Sequence, residues 1–133
     1  MSVARLAAAL AAAVLAACAA PPPPPPAAPA PGLTDLIEHP AERALYEGMR
    51  AYDDGLYAPS EAALRRALAL GLRNARDRAT ADKLLAFITC TSQREAECAE
   101  HFRAARAADP AFALSPSESG HPVWGPVYRG IGR

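Results

Sequence analysis

The sequence has little of what nucleic-acid binding or a large enzyme requires. Its formal net charge is zero over 133 residues, and only 6% of the residues are aromatic. Because binding to a phosphate backbone needs clustered positive charge, we expect no nucleic-acid partner. The length allows one small domain and excludes a multidomain enzyme. The core of such a domain must be built largely from Ala and Leu.

Recognisable sets of catalytic or ligand-binding residues are also missing. His39, His101 and His121 are scattered, and none has a Ser or Cys partner at a catalytic spacing. The sequence contains no Gly-rich phosphate loop, and no His–Cys cluster has the spacing of metal ligands. We therefore expect no catalysis, no cofactor, no metal and no small-molecule substrate.

Basic residues are enriched between positions 65 and 83. Acidic residues interleave with them, which favours a solvated face over a site for an anionic partner or for peptidoglycan carboxylates. The basic residues are Arg65, Arg66, Arg73, Arg76, Arg78 and Lys83, and the acidic ones are Glu61, Asp77 and Asp82.

The start of the chain indicates export. Residues 1–5 carry one positive charge, and residues 6–14 form an apolar run rich in Ala and Leu. This pattern is typical of a secretory signal and is too short for a permanent transmembrane helix. The next four residues resemble the lipobox of bacterial lipoproteins, and they are Leu15, Ala16, Ala17 and Cys18.

The lipobox implies that Cys18 is the lipidation site and that residues 1–17 are a signal peptide. Several acyl chains on one residue anchor a protein stably, because each buried CH₂ contributes about 0.8 kcal/mol. Ala19 stands where an Asp often retains lipoproteins at the inner membrane, so the periplasmic side of the outer membrane is expected. A plain secretory signal with an incidental Cys is the alternative.

A proline-rich segment follows the proposed anchor. Residues 19–32 contain only Ala, Pro and one Gly, including six consecutive prolines at 21–26. Proline fixes φ and lacks an amide hydrogen, so we expect polyproline II with a reach on the order of 40 Å. Residues 18–33 are interpreted as a lipidated, semi-rigid tether, with a ligand for an SH3-like groove as the alternative.

Residues 34–114 are predicted to form an all-α domain, because no stretch alternates with period two over the length of a strand. Pro40 is expected in the first turn of the first helix, which Gly55 ends. Pro59 is expected to start the second helix, and Gly71 to end it.

Two further helices are expected in the second half of this domain. Asn74 and Asp77 are candidates to cap the third helix. The run Ser92–Glu95 matches a capping box for the fourth helix, which Asp109 and Pro110 would end.

Small and large residues recur as they do in tetratricopeptide repeats. Gly48 and Ser60 are the small packing residues of the first helix pair, and Ala86 and Cys98 occupy the matching positions of the second. The offset between matching positions is 38 residues, as from Ala67 to Ala105, against about 34 in the standard repeat. The sequence therefore predicts two tetratricopeptide-like helical hairpins with a short insertion near 71–78; a generic four-helix bundle is the alternative.

Two hairpins are fewer than the roughly three repeats that stability usually needs, so another device must close the domain. With Cys18 lipidated in an oxidising compartment, Cys90 and Cys98 remain as an even pair. They are expected on either side of a tight turn, which favours a disulfide. Closing a loop of about nine residues would stabilise the fold by about 2.6 kcal/mol. Two buried thiols are the alternative.

The C-terminal tail, residues 115–133, is the second closing device. Ser115–Glu118 is predicted to be a capped single turn, ended by Gly120. Prolines on both sides of Trp124 predict an extended strand that cannot join a helix. We expect this tail to pack on the hairpins as a structural cap through Trp124 and Tyr128, because a tail without a folded role rarely concentrates so much apolar surface. Partner docking is the alternative role.

Several segments of the second half carry a family resemblance, and they are residues 85–90, Cys98, residues 102–105, residues 109–114 and residues 120–128. The most specific part is the Cys pair together with His-Pro-Val-Trp-Gly-Pro-Val. On these residues the chain resembles the TssQ family, small tetratricopeptide-like lipoproteins associated with type VI secretion systems. The resemblance covers about residues 40–129 and identifies no binding residue.

The resemblance implies a non-catalytic outer-membrane lipoprotein that acts as a scaffold or accessory protein of a type VI secretion system. It would contact the membrane through the lipid on Cys18 and bind protein partners in the periplasm. A pilotin-like assembly lipoprotein of another envelope machine and a peptidoglycan-binding envelope protein are the alternatives.

Overall fold

The computed structural model describes residues 38–132, and within that range the chain forms helices and no strand, so the predicted all-α class is confirmed. The helices are α1 (Pro40–Asp53), α2 (Tyr57–Leu70), α3 (Ala75–Thr91), α4 (Glu95–Ala108), α5 (Pro116–Ser119) and α6 (Trp124–Gly130).

Glycine ends the first two helices as predicted. Gly55 has φ 74° and Gly71 has φ 88°, a left-handed conformation that glycine adopts without the steric cost of a Cβ. The start of α2 differs from the prediction, because the helix begins at Tyr57 and Pro59 is its third residue. Proline is tolerated there, since the first-turn amides have no acceptor within the helix.

Of the two caps predicted for α3 and α4, the first is confirmed and the second is wrong. Asn74 caps α3 as predicted, and its side chain accepts a hydrogen bond from the amide of Arg76. The capping box at Ser92–Glu95 was wrong: Ser92 is the C-cap of α3, and α4 begins after Arg94, which makes no side-chain cap. Gln93 lies between them with φ 62°, so residues 92–94 form the turn of hairpin 2 and Ser92 is not at the start of a helix.

Helices α1 and α2 form hairpin 1, and α3 and α4 form hairpin 2. The 38-residue offset relates the two, since it maps Tyr57–Leu70 onto the range of α4, Glu95–Ala108. It also maps Gly55 onto Gln93, so both hairpin turns place a left-handed residue at the same point. Most of the inserted residues lie at the start of hairpin 2, where α3 has 17 residues and α1 has 14.

Small residues allow the two helices of hairpin 1 to approach closely. A Cβ at Gly48 would lie 2.7 Å from Cγ of Leu64, which is fully buried on α2. The hydroxyl of Ser60 donates to the carbonyl oxygen of Gly48 at 2.7 Å. These contacts explain why the repeat pattern requires small residues at both positions.

The core has two parts that meet at α3. The first lies between hairpin 1 and α3, and the second lies between α3, α4 and the C-terminal residues. Tyr52 and Leu84 pack against both parts. The core is therefore continuous, and the tail completes its second half.

The tail packs on hairpin 2 as predicted, but its extended conformation was wrong. Trp124 is the first residue of α6, and Pro126 is the third. The two prolines beside Trp124 precede the helix or fall in its first turn, where a missing amide hydrogen costs little. The predicted single turn is confirmed: Ser115 and Glu118 form a reciprocal capping box at the start of α5.

Candidate functional site

Several predicted features precede the described residues. Cys18, the signal peptide at 1–17 and the whole tether at 18–33 lie outside residues 38–132. Among the helices that are described, none is long and apolar enough to cross a membrane.

The structure joins Cys90 at the end of α3 to Cys98 in α4. Their Sγ atoms are 2.08 Å apart, and their Cα atoms are 5.1 Å apart. Cys98 is fully buried, and Cys90 is 7% exposed. The bridge therefore holds the two helices of hairpin 2 together beside the turn at Ser92–Arg94, and it lies inside the core, away from bulk solvent.

Trp124 packs at the centre of the tail contact. Its ring stacks on Phe87 of α3, with centroids 4.2 Å apart, and on His121 at 3.4 Å. Its indole N–H donates to the carbonyl oxygen of Glu118 at 2.8 Å. A Trp with its polar atom satisfied inside its own chain supports the interpretation of a structural cap over partner docking.

Tyr128 holds the other side of the tail. Its ring meets Phe102 edge-on at 5.2 Å and carries the guanidinium of Arg106 over its face at 4.7 Å. Its hydroxyl accepts a hydrogen bond from the amide of Leu114. Tyr128 thus links α6 to α4 and to the segment that leads into the tail.

A salt bridge adds a polar contact to the same surface. Lys83 Nζ lies 2.8 Å from the carboxylate of Glu118 and 5.8 Å from the ring centroid of Phe87. Burial raises the pKa of the Glu118 carboxyl, but hydrogen bonds from Lys83 and Ser115 outweigh it and lower the pKa overall. The tail is therefore held by aromatic stacking and by charge.

The basic residues singled out in the sequence are largely engaged by acidic ones. Arg65 contacts Glu61 and Glu97, Arg66 contacts Glu47, and Arg73 contacts Glu42. The guanidinium of Arg78 donates to two backbone carbonyl oxygens. These contacts support the prediction of a solvated face, and they leave no cluster of free cations for an anionic ligand among these residues.

One ion-pair network joins the two hairpins. Glu61 of α2 accepts hydrogen bonds from Arg94 at 2.6 Å and 2.9 Å and from Arg65 at 2.8 Å and 3.0 Å. Hydrogen bonds from Arg94, with those from Arg65, lower the pKa of the Glu61 carboxyl from 4.5 to about 2. Arg94 precedes α4, so this network fixes the turn of hairpin 2 against the start of α2.

Sequence reasoning missed a buried pair inside hairpin 2. Nδ1 of His101 lies 2.8 Å from the carboxylate of Asp82, and their side chains are 16% and 9% exposed. The sequence did hold one indication of this pair. The 38-residue offset maps Asp82 and His101 onto Ala44 and Ala63, and both alanines are buried in hairpin 1. The pair has no neighbouring set of ligands: residues 38–132 hold no group of three or more His, Cys, Asp or Glu that could bind a metal.

The exposed apolar side chains are distributed unevenly. Among residues 38–132, five of the six large ones belong to hairpin 1 or its turn, one belongs to the tail, and none belongs to hairpin 2. They are Tyr46, Met49, Leu56, Tyr57 and Leu70 on hairpin 1 and Val123 in the tail. Hairpin 1 is therefore the part of the described domain that presents contact surface.

Comparisons with family models, with curated proteins and with solved structures found no match to the chain. The family resemblance and the lipid anchor stay predictions from the sequence.

Proposed function

We propose that this chain is a lipid-anchored, non-catalytic adaptor of the bacterial envelope that binds protein partners of a type VI secretion system. The lipobox at Cys18 and the proline-rich tether support the anchor and the periplasmic side of the outer membrane. The resemblance to the TssQ family supports the apparatus.

The proposed binding of a protein partner rests on the exposed apolar surface of hairpin 1. Leu56, which precedes α2, and Tyr57, its first residue, are 54% and 52% exposed. We call these two residues the hairpin tip. Exposed Tyr side chains are frequent anchors of protein interfaces, and the adjacent Leu56 extends the exposed apolar area.

One residue of the tip, Tyr57, packs against the rest of the domain. The ring of Tyr57 packs edge-on against Tyr52 at 5.5 Å, and Tyr52 contacts both parts of the core. The turn of hairpin 2 lies at the same end of the domain, because Arg94 pairs with Glu61 near the start of α2. A partner that reaches the tip therefore meets a preorganised surface and loses little free energy in ordering it.

Site-specific photo-crosslinking in living cells tests this proposal. A benzophenone amino acid at position 57 should crosslink to an envelope component of the secretion apparatus. The same substitution at Leu70 is the matched control, because Leu70 is 50% exposed but lies beside Pro40, near the start of α1. Leu56→Asp should reduce recovery of the partner about tenfold, while Leu70→Asp should not.

Other outcomes reject the proposal. Crosslinks from position 57 to a secretin or pilus component would favour the pilotin-like alternative. Equal yields from positions 57 and 70, or no protein adduct at all, would remove the tip as a binding surface. Absence of palmitate labelling at Cys18 would remove the anchor.

A further inference from the structure

A second exposed surface lies along α1 and does not include the two tip residues. We define the α1 cleft as the opening of about 320 Å³ lined by Tyr46, Met49, Arg50, Asp53 and Asp54. Tyr46 is 52% exposed and Met49 is 39% exposed. An aromatic ring beside a flexible thioether is costly to leave in water and suits an apolar occupant.

A separate opening lies near the start of α1. This opening of about 340 Å³ is lined by six residues, which are Pro40, Arg43, Ala44, Glu47, Arg66 and Leu70. The first of these is the residue at which the preceding segment enters the domain. This second opening therefore lies where the preceding segment enters the domain.

The internal repeat shows that the corresponding surface of hairpin 2 is covered. The 38-residue offset maps Met49 onto Phe87, and Trp124 of the tail stacks on Phe87 at 4.2 Å. The tail that follows α4 thus covers this position in hairpin 2. In hairpin 1, nothing within residues 38–132 covers Met49 to the same degree.

The chain that precedes hairpin 1 is long enough to reach the α1 cleft. Along α1, Asp53 lies about 20 Å from Pro40 at 1.5 Å per residue. The six residues 32–37, which precede the described residues, can span up to about 20 Å, so the segment before them can reach the α1 cleft. The α1 cleft extends over seven helical positions from Tyr46, or about 11 Å, which equals about four residues of polyproline II.

The segment also has the right chemistry. Residues 19–32 are uncharged and contain eight prolines. Proline-rich segments dock on aromatic-lined grooves, because their extended helix is formed before binding and loses little entropy. Attachment to the same chain raises the effective concentration to about the millimolar range, so a weak contact is enough.

We infer that the Pro/Ala segment 19–32 folds back on its own domain and docks in the α1 cleft. Docking covers Tyr46 and Met49 and converts a spacer into an arm that orients the domain relative to its anchor. The contact does not involve the hairpin tip, so it stands or falls independently of the proposed partner.

Protection of Met49 provides the test. The full chain has two methionines, Met1 and Met49, so mass spectrometry resolves oxidation of Met49 by hydrogen peroxide without ambiguity. In a variant with all eight prolines of 19–32 replaced by Ser, we expect oxidation of Met49 to accelerate at least threefold. The ¹³C-methyl resonance of Met49 should shift in the same variant.

A matched control changes the segment but keeps every proline. It replaces the five alanines at 19, 20, 27, 28 and 30 with Ser, and it should leave the oxidation rate of Met49 within a factor of 1.5 of the native chain. A synthetic peptide of residues 19–32, added at millimolar concentration, should restore protection to the proline variant. Far-UV circular dichroism verifies that helix content is equal in all three chains.

Two results would overturn the inference. Equal oxidation rates in the native chain and the proline variant would show that the prolines do not cover Met49. A rate that depends on protein concentration, and not on the prolines, would assign the cleft to a second copy of the chain.

Discussion

At the scale of single residues, hairpin 2 contains a polar pair where hairpin 1 contains two alanines. Asp82 and His101 satisfy each other at 2.8 Å, while Ala44 and Ala63 at the equivalent positions need no partner. A buried polar pair is costly to break on one side, because the remaining group loses its partner and is still shielded from water. We therefore expect the two side chains to be energetically coupled.

A double-mutant cycle measures this coupling. Asp82→Ala and His101→Ala should each destabilise the domain by about 2 kcal/mol, because each leaves one buried group unpaired. The double variant reproduces the alanine pair of hairpin 1 and should cost at least about 1 kcal/mol less than the sum. Urea unfolding gives the four free energies.

The more exposed pair Lys83–Glu118 is the matched control for this cycle. Its side chains are 26% and 28% exposed, so its coupling should stay below about 1 kcal/mol. If the Asp82–His101 cycle gave strictly additive costs, the pair would have no specific role.

At the scale of helices, charge fixes how the hairpins meet. Glu61 of α2 is shared by Arg65 on the same helix and by Arg94 at the start of α4. The hydrogen bonds require the ionised carboxylate, which is why the pKa of Glu61 falls to about 2 in the folded chain. The junction is therefore sensitive to acid.

The acid dependence has a definite sign. The pKa of Glu61 is lower in the folded chain than in the unfolded one, so its stabilising effect is complete above about pH 4.5. The effect is lost as the pH falls through about 2. Since the partner guanidiniums are partly exposed, we expect about 1 to 2 kcal/mol after solvent screening. The difference in unfolding free energy between the native chain and Glu61→Gln should have this size at pH 7 and shrink strongly towards pH 2.

Glu47→Gln is the control for this junction, because it removes an exposed ion pair with Arg66 that lies within hairpin 1. If both substitutions changed the acid dependence equally, the effect would not belong to the contact between hairpins.

At the scale of the whole molecule, the tail makes a stable domain from two repeats. Trp124 and Tyr128 supply rings to the second part of the core, alongside Phe87 and Phe102. Terminal repeats need a cap because their outer faces are otherwise open to water. The tail and the disulfide, placed on one hairpin, provide that closure.

Removing the ring of Trp124 should therefore weaken the whole domain. We expect Trp124→Ala to lower the unfolding free energy by about 2 to 3 kcal/mol, less than for a fully buried Trp because its side chain is only partly buried. Val123→Ala is the control, since Val123 is 45% exposed and its loss should cost under about 0.5 kcal/mol. Urea unfolding followed by circular dichroism measures both, and equal effects would show that the tail is not a cap.

The sequence by itself determined the features that depend on neighbouring residues. Glycine at 55 and 71 ended helices because its backbone reaches the left-handed region, and the capping box at Ser115–Glu118 formed because its partners are three residues apart. The 38-residue offset likewise placed both hairpins, because packing of a helix pair requires the same small residues at the same spacing. Local geometry was sufficient for these.

Only the tertiary structure decided the features that depend on distant contacts. The tail is helical around Trp124, although local signals alone do not favour a helix there. Tertiary contacts hold this short segment, because Trp124 stacks on Phe87. Tyr128 likewise packs edge-on against Phe102. The pattern at Ser92–Glu95 made no cap, because the turn of hairpin 2 uses those residues and turns Arg94 towards Glu61. The partnership of Asp82 and His101 needed α3 and α4 side by side, a distance that no single stretch of sequence contains.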